Sequence, residues 1–145
     1  MPQITPFLWF DNSAEEAARF YVSVFPNSKL LDVSPLTVTF EVESQRVTAL
    51  NGGPHYQLSE AFSFFVACDS QDEVDRYWDA LLAGGGTPSQ CGWLTDRFGL
   101  SWQVIPTRLM ELLSDPAPER ADRVMQAMLQ MVKIDLAALE AAHAG

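Results

Sequence analysis

The stretch from Ala61 to Leu82, AFSFFVACDSQDEVDRYWDALL, reads as a strand, a helix cap and an amphipathic helix in direct succession. Ala61 to Cys68 is the strand. Asp69 or Ser70 is the N-cap, and Val74, Tyr77, Trp78, Leu81 and Leu82 fall at helical spacing on one face of a helix from Asp72. Gly84-Gly85-Gly86 ends it. Short strands near Thr87 to Gln90 and Gly92 to Thr95, a tight turn at Asp96 to Gly99 and a strong strand from Leu100 to Ile105 complete the order β-α-β-β-β.

The same order stands earlier in the chain. The stretch ITPFLWFDNSAEEAARFYVSVF, Ile4 to Phe25, opens with an apolar and aromatic strand, Ile4 to Phe10, carrying Pro6 near its start. A helix follows, capped by Asn12 or Ser13, with Glu15 and Glu16 in the first turn, where the helix dipole favours anions. Strands follow at Lys29 to Val33, Leu36 to Val42 and Arg46 to Asn51, the last two joined by Glu43-Ser44-Gln45. Gly52-Gly53-Pro54 stops the module, and His55 to Glu60 is a linker. A repeat with a period of roughly 55 residues and matching element order implies two like modules in one fold. The remainder is helical: Leu109 to Leu113, Glu119 to Met131 after a Pro116/Pro118 break, and Leu136 to Ala142 capped by Asp135. Val124, Met125, Met128, Leu129 and Met131 give the middle helix a broad apolar face, suited to a sheet edge or a neighbouring subunit.

Composition narrows the function. Of 145 residues, 48% are hydrophobic and 19% charged, enough apolar surface for a globular core without staples. Nine Lys and Arg against nineteen Asp and Glu give a formal charge of −10, so nucleic acid is not expected as a partner. Two cysteines, Cys68 and Cys91, make neither a disulfide framework nor a CxxC motif, and a reduced, cytoplasmic chain is the simplest expectation. No signal peptide is visible and no run approaches the roughly 18 apolar residues of a membrane span, so no membrane partner is expected either.

Four strings carry a resemblance: TPFLWFDNSAEEAARFY (5–21), VTALNGGPHY (47–56), SFFVACDSQDEVDRYWDAL (63–81) and CGWLTDRFGLSWQVIPTRLMELLSD (91–115). Together with the doubled module they resemble the PhnB-like branch of the vicinal oxygen chelate superfamily, which includes glyoxalase I, extradiol dioxygenases and bleomycin-resistance proteins. Members of this branch often bear the label 3-demethylubiquinone-9 3-methyltransferase. The resemblance implies an α+β, glyoxalase-like fold of two paired β-α-β-β-β modules. It implies one domain over 1–145, with module one at about 4–53, module two at about 61–107 and C-terminal helices at about 108–142. A homodimer and a small-molecule ligand are the expected partners. The methyltransferase label finds no support in the residues, because Gly84 to Gly86 follow a helix, whereas a nucleotide-type cofactor on an α/β sheet uses a Gly-rich turn that opens one, with an acidic residue for the ribose.

Metal-dependent members of the superfamily place His, Glu or Gln on the first and last strand of each module. The matching positions here are Thr5 or Pro6, Ala49 or Asn51, Ser63 and Gln103, and only Gln103 is a familiar ligand type. No resident cofactor is therefore expected, a weakly bound divalent metal on Gln103 being the alternative. Strand alternation sets Thr5, Phe7 and Trp9 on one face, and likewise Val47, Ala49 and Asn51, then Ser63, Phe65 and Ala67, then Ser101, Gln103 and Ile105. The candidate ligand-binding residues are Thr5, Phe7, Trp9, Asn51, His55, Ser63, Phe65, Trp93 and Gln103. His55 joins them because imidazole titrates near neutrality, and Trp93 because an indole can wall a pocket. An aromatic, apolar surface with a few neutral polar groups suits an apolar or aromatic small molecule bound without metal. The alternative is a glyoxalase-type metal enzyme using Gln103.

Overall fold

A computed structural model describes all 145 residues. They form two compact units, Met1–Ser59 and Glu60–Gly145, each built on a four-stranded sheet, in an α+β architecture. The first unit holds β1 (Phe7–Phe10), α1 (Ala14–Val24), β2 (Ser28–Val33), β3 (Thr37–Val42) and β4 (Gln45–Asn51). The second holds β5 (Ser63–Cys68), α2 (Gln71–Leu82), β6 (Thr87–Pro88), β7 (Trp93–Thr95) and β8 (Ser101–Pro106), then α3 (Thr107–Leu113), α4 (Pro118–Leu129) and α5 (Leu136–Ala144). The doubled β-α-β-β-β order read from the sequence is the observed one.

The sheets run β1-β4-β3-β2 and β5-β8-β7-β6, with the first strand of each parallel to the last and the other pairs antiparallel. In the first unit, β1 and β2 are therefore parallel and lie at opposite edges. Their connection must cross the whole sheet, and α1 does so. Beneath it lie Leu8, Phe10, Val38, Phe40, Val47 and Ala49, all buried, facing Ala14, Ala17, Ala18 and Tyr21 of the helix. In the second unit α2 presents Val74, Tyr77, Trp78 and Leu81, and Leu94, Trp102 and Val104 are buried in the sheet. Burial of each such side chain contributes roughly 1.5–3 kcal/mol, the main favourable term in either core.

Local chemistry sets the helix ends. Ser70 Oγ accepts from the Glu73 N–H at 3.2 Å, capping α2, and Glu73 Oε1 reaches back to accept from the N–H of Asp69, the residue before the cap, at 2.7 Å. The first helix differs from expectation. Ser13 makes no side-chain cap, and Asn51 Oδ1, at the end of β4, accepts from the Ala14 N–H at 2.9 Å instead. Strand β1 is also shorter than the sequence suggests: Ile4 and Thr5 precede it, as the missing N–H of Pro6 limits pairing there. In the same way β5 starts at Ser63 and β6 stops at Pro88.

The C-terminal helices pack within the second unit. Ile105, Leu109, Leu112, Val124, Ile134 and Leu139 make one buried cluster, with Met128 and Met131 partly buried against it. Met125 and Leu129, on the expected apolar face of α4, remain exposed. Gln71 at the start of α2 donates to Ile134 O at 2.9 Å and accepts from the Leu136 N–H at 2.7 Å, and Lys133 pairs with Asp75 at 2.8 Å. That pairing and the Gln71 hydrogen bond hold the Asp75 carboxyl below its ordinary range. Arg123 donates to Ala142 O and His143 O, satisfying carbonyls that the end of α5 leaves open.

The turn before β8 is fixed by a buried carboxylate. Asp96, 3% exposed, accepts from the Phe98 and Leu100 N–H groups through Oδ1 and from the Trp102 indole through Oδ2 at 2.9 Å. Removing it leaves the buried Trp102 N–H and Leu100 N–H without their acceptor. Asp96→Ala is expected to lower unfolding free energy by about 2–4 kcal/mol, read as a fall in the urea midpoint at unchanged slope. A loss under about 0.5 kcal/mol would show that the turn does not depend on the carboxylate.

Candidate functional site

With one face of each sheet under a helix, the other face carries whatever site the sheet offers. In the second unit register decides its members. Phe65 stands opposite Gln103, and Gln103 opposite Trp93, so the three form one row across β5, β8 and β7. Ser63 lies one step along the same face, opposite Ser101, and the Gln103 Nε2 amide donates to Ser63 Oγ at 3.0 Å. Four of the sequence candidates, Ser63, Phe65, Trp93 and Gln103, thus come together as a polar pair flanked by two aromatic rings. Phe65 is 49% exposed, and Gln103 and Trp93 are half-buried. The Gln103 oxygen is the acceptor this arrangement presents and the Ser63 hydroxyl the donor.

The first unit corrects the sequence reading. Phe7 stands opposite Thr48 and Trp9 opposite Leu50. Val47, Ala49 and Asn51 therefore belong to the helix side with Leu8 and Phe10, and the open face carries Phe7, Trp9, Thr48, Leu50 and Thr39. The reason is one residue of turn. Glu43 (φ 46) and Ser44 (φ 76) form a two-residue loop that pairs Val42 with Gln45, whereas a three-residue connection would pair Val42 with Arg46 and reverse every side chain of β4. Asn51 is engaged at both ends of its amide, accepting from Ala14 and donating Nδ2 to Pro35 O at 3.0 Å. Its role here is to start α1 and tie down the β2–β3 loop.

The remaining candidates of that unit lie near its open face with different freedoms. Trp9 donates its indole N–H to Gly53 O at 2.9 Å and receives Tyr56 edge-on at 4.9 Å. Its ring also lies so close over Gly52 that a Cβ there would stand 2.3 Å from it. Glycine at 52 is thus the condition for Trp9's position. Thr39 and Thr48 satisfy each other at 3.0 Å, and Phe7 is 60% exposed. Thr5 is partly buried ahead of β1, and His55 is exposed on the loop after β4.

The donor set does not suit a metal ion. No three His, Cys, Asp or Glu side chains stand together so as to hold one, and the matching position on β8 is a neutral amide already bonded to Ser63.

The comparisons with known proteins agree with this architecture. The sequence profile of the family described as 3-demethylubiquinone-9 3-methyltransferase matches residues 2–105. The chain belongs to that family. A solved structure from Bacillus cereus, a putative 3-demethylubiquinone-9 3-methyltransferase and PhnB protein, is 26% identical with a TM-score of 0.67, over 72% of this chain and 99% of that one. A glyoxalase-related enzyme from Fulvimarina pelagi is 12% identical with a TM-score of 0.54, over 75% of this chain and 91% of that one. The fosfomycin resistance protein FosX of Listeria monocytogenes, solved with Mn(II) and sulfate, is 14% identical with a TM-score of 0.52, over 70% and 86%. None of the curated proteins matches the chain. The fold is glyoxalase-like with a C-terminal helical extension.

The two thiols differ in environment. Burial, with the Glu73 and Asp69 carboxylates nearby, pushes the Cys68 thiol up to about 11, so it stays protonated near neutrality. Cys91 is half-buried on the segment before β7. Iodoacetamide at pH 8 is expected to alkylate Cys91 at least tenfold faster than Cys68, as read by peptide mass mapping, with the difference erased in urea. Equal rates in the folded chain would contradict the burial of Cys68.

Proposed function

We propose that the chain binds a small apolar or aromatic molecule on the open face of its second sheet without a metal. The ligand lies against Phe65 and Trp93 and is oriented by Gln103 and Ser63. The observation that carries this reading is the in-register row Phe65, Gln103, Trp93, in which one hydrogen-bonded polar pair stands among aromatic surface. Such a surface favours a ring by burying its faces, and the amide and hydroxyl select a polar substituent on it, because leaving either unpaired under the ligand costs roughly 1–3 kcal/mol. The absence of charge among these four residues favours a neutral ligand over a strong anion.

Methyl transfer is not proposed, although the family's description names it. Gly84 and Gly85, with φ of 85° and 127°, end α2, where they serve as a helix stop. They do not make the Gly-rich turn between a strand and a following helix that a nucleotide-type cofactor uses on an α/β sheet.

A calorimetric screen of phenols tests the proposal. Binders are expected, with affinity falling about tenfold in Gln103→Ala and in Phe65→Ala, and unchanged in Thr39→Ala on the other sheet. A flat screen, or hits indifferent to both substitutions, would sink it. Binding that appears only after zinc, nickel or manganese is added would favour a metal enzyme built on Gln103. Heat on adding S-adenosylmethionine would reopen methyl transfer.

A further inference from the structure

The open face of the second sheet is not open along its whole length. Ile105 follows Gln103 by two residues and so points to the same side, yet it is only 4% exposed, while Ala67 opposite it on β5 is exposed. What covers Ile105 is the C-terminal segment. Ile134 shares its buried cluster, and both side chains close on Gly92, where a Cβ would stand 2.6 Å from Ile105 Cδ1 and 3.0 Å from Ile134 Cγ1. The segment is anchored from two sides. The Cys91 and Gly92 N–H groups donate to Met131 O and Val132 O, each at 2.8 Å, and Gln71 holds the backbone of Ile134 and Leu136. The 131–136 segment itself lies beyond the family-matched residues 2–105.

We infer that the 131–136 segment is a fixed end wall of the second sheet's open face, and that Ile134, backed by Ile105, limits the ligand to a compact ring at the Gln103 row. The selectivity half rests on the ligand reading above, whereas the wall itself does not. Long-chain amphiphiles are excluded because an alkyl tail running along β8 past Gln103 meets Ile105 and Ile134, whose packed cluster yields no space without loss of its own contacts.

The test uses the full chain in a Cys91→Ser background. Ile105→Cys is expected to react with iodoacetamide at a tenth or less of the rate of Phe65→Cys, which lies exposed on the same face. Adding Ile134→Gly is expected to raise the Ile105→Cys rate at least tenfold, with circular dichroism unchanged. Equal rates for the two cysteines overturn the wall, and should Ile134→Gly fail to fold, that comparison alone decides. Selectivity is read with 4-alkylphenols from phenol to 4-octylphenol: Ile134→Ala is expected to gain threefold or more in affinity for the longer members and nothing for phenol. An unchanged ranking overturns Ile134 as the determinant. Slow labelling with no alkylphenol bound by either chain supports the wall and overturns the ligand reading.

Discussion

In each unit the first strand pairs with the last, and pairs with it in parallel. A hairpin cannot make that connection, so the chain must leave the edge, cross the sheet as a helix and return through the remaining strands. The helix covers one whole face, and the sequence accordingly places its largest apolar side chains there: Phe40 and Tyr21 in the first unit, Trp102 and Leu81 in the second. The opposite face carries exposed or half-buried rings, Phe7 and Trp9 in the first unit and Phe65 and Trp93 in the second, among neutral polar residues. Everything proposed for this protein is located on the face that the crossing helix does not cover.

Much of this was legible before any coordinates. The doubled element order, a helix cap at Asp69 or Ser70, the turn at Asp96 and the face carrying Ser63, Phe65 and Gln103 all follow from the sequence, the last because SFFVAC and SWQVI alternate in step. Strand β4 was not legible in the same way. Its residues Val47 to Asn51 mix apolar and polar types on both parities, so alternation alone does not choose a face, and the choice passes to the turn. Counting Gln45 as loop reverses the strand, and counting it as strand restores it. The cap of α1 was hidden for a related reason: Asn51 reaches Ala14 from 37 positions away, a contact that local signals cannot reveal. The anchoring of the tail by Gln71 is another long-range contact of this kind.

The corrected face changes the chemistry on offer. With Asn51 moved to the helix side, Trp9's N–H committed to Gly53 and Thr39 and Thr48 bonded to each other, the polar capacity of the first unit's open face is largely satisfied internally. The second unit keeps Gln103 and Ser63 among rings. The chain's net charge of −10 does not enter that face, since its buried carboxylate, Asp96, is saturated by backbone and indole donors and those paired with Lys133 and Arg108 bind the tail. The second sheet's open face thus offers a neutral, aromatic-walled surface.

The most direct measurement is an NMR titration of the nitrogen-labelled chain with phenol, following side-chain amide and indole signals. A ligand on the second sheet's open face shifts the Gln103 Nε2 and Trp93 Nε1 resonances together. It leaves Trp102 Nε1, held beneath the sheet by Asp96, in place. Shifts confined to Trp9, movement of Trp102 in place of Trp93, or no change up to saturation would contradict the account.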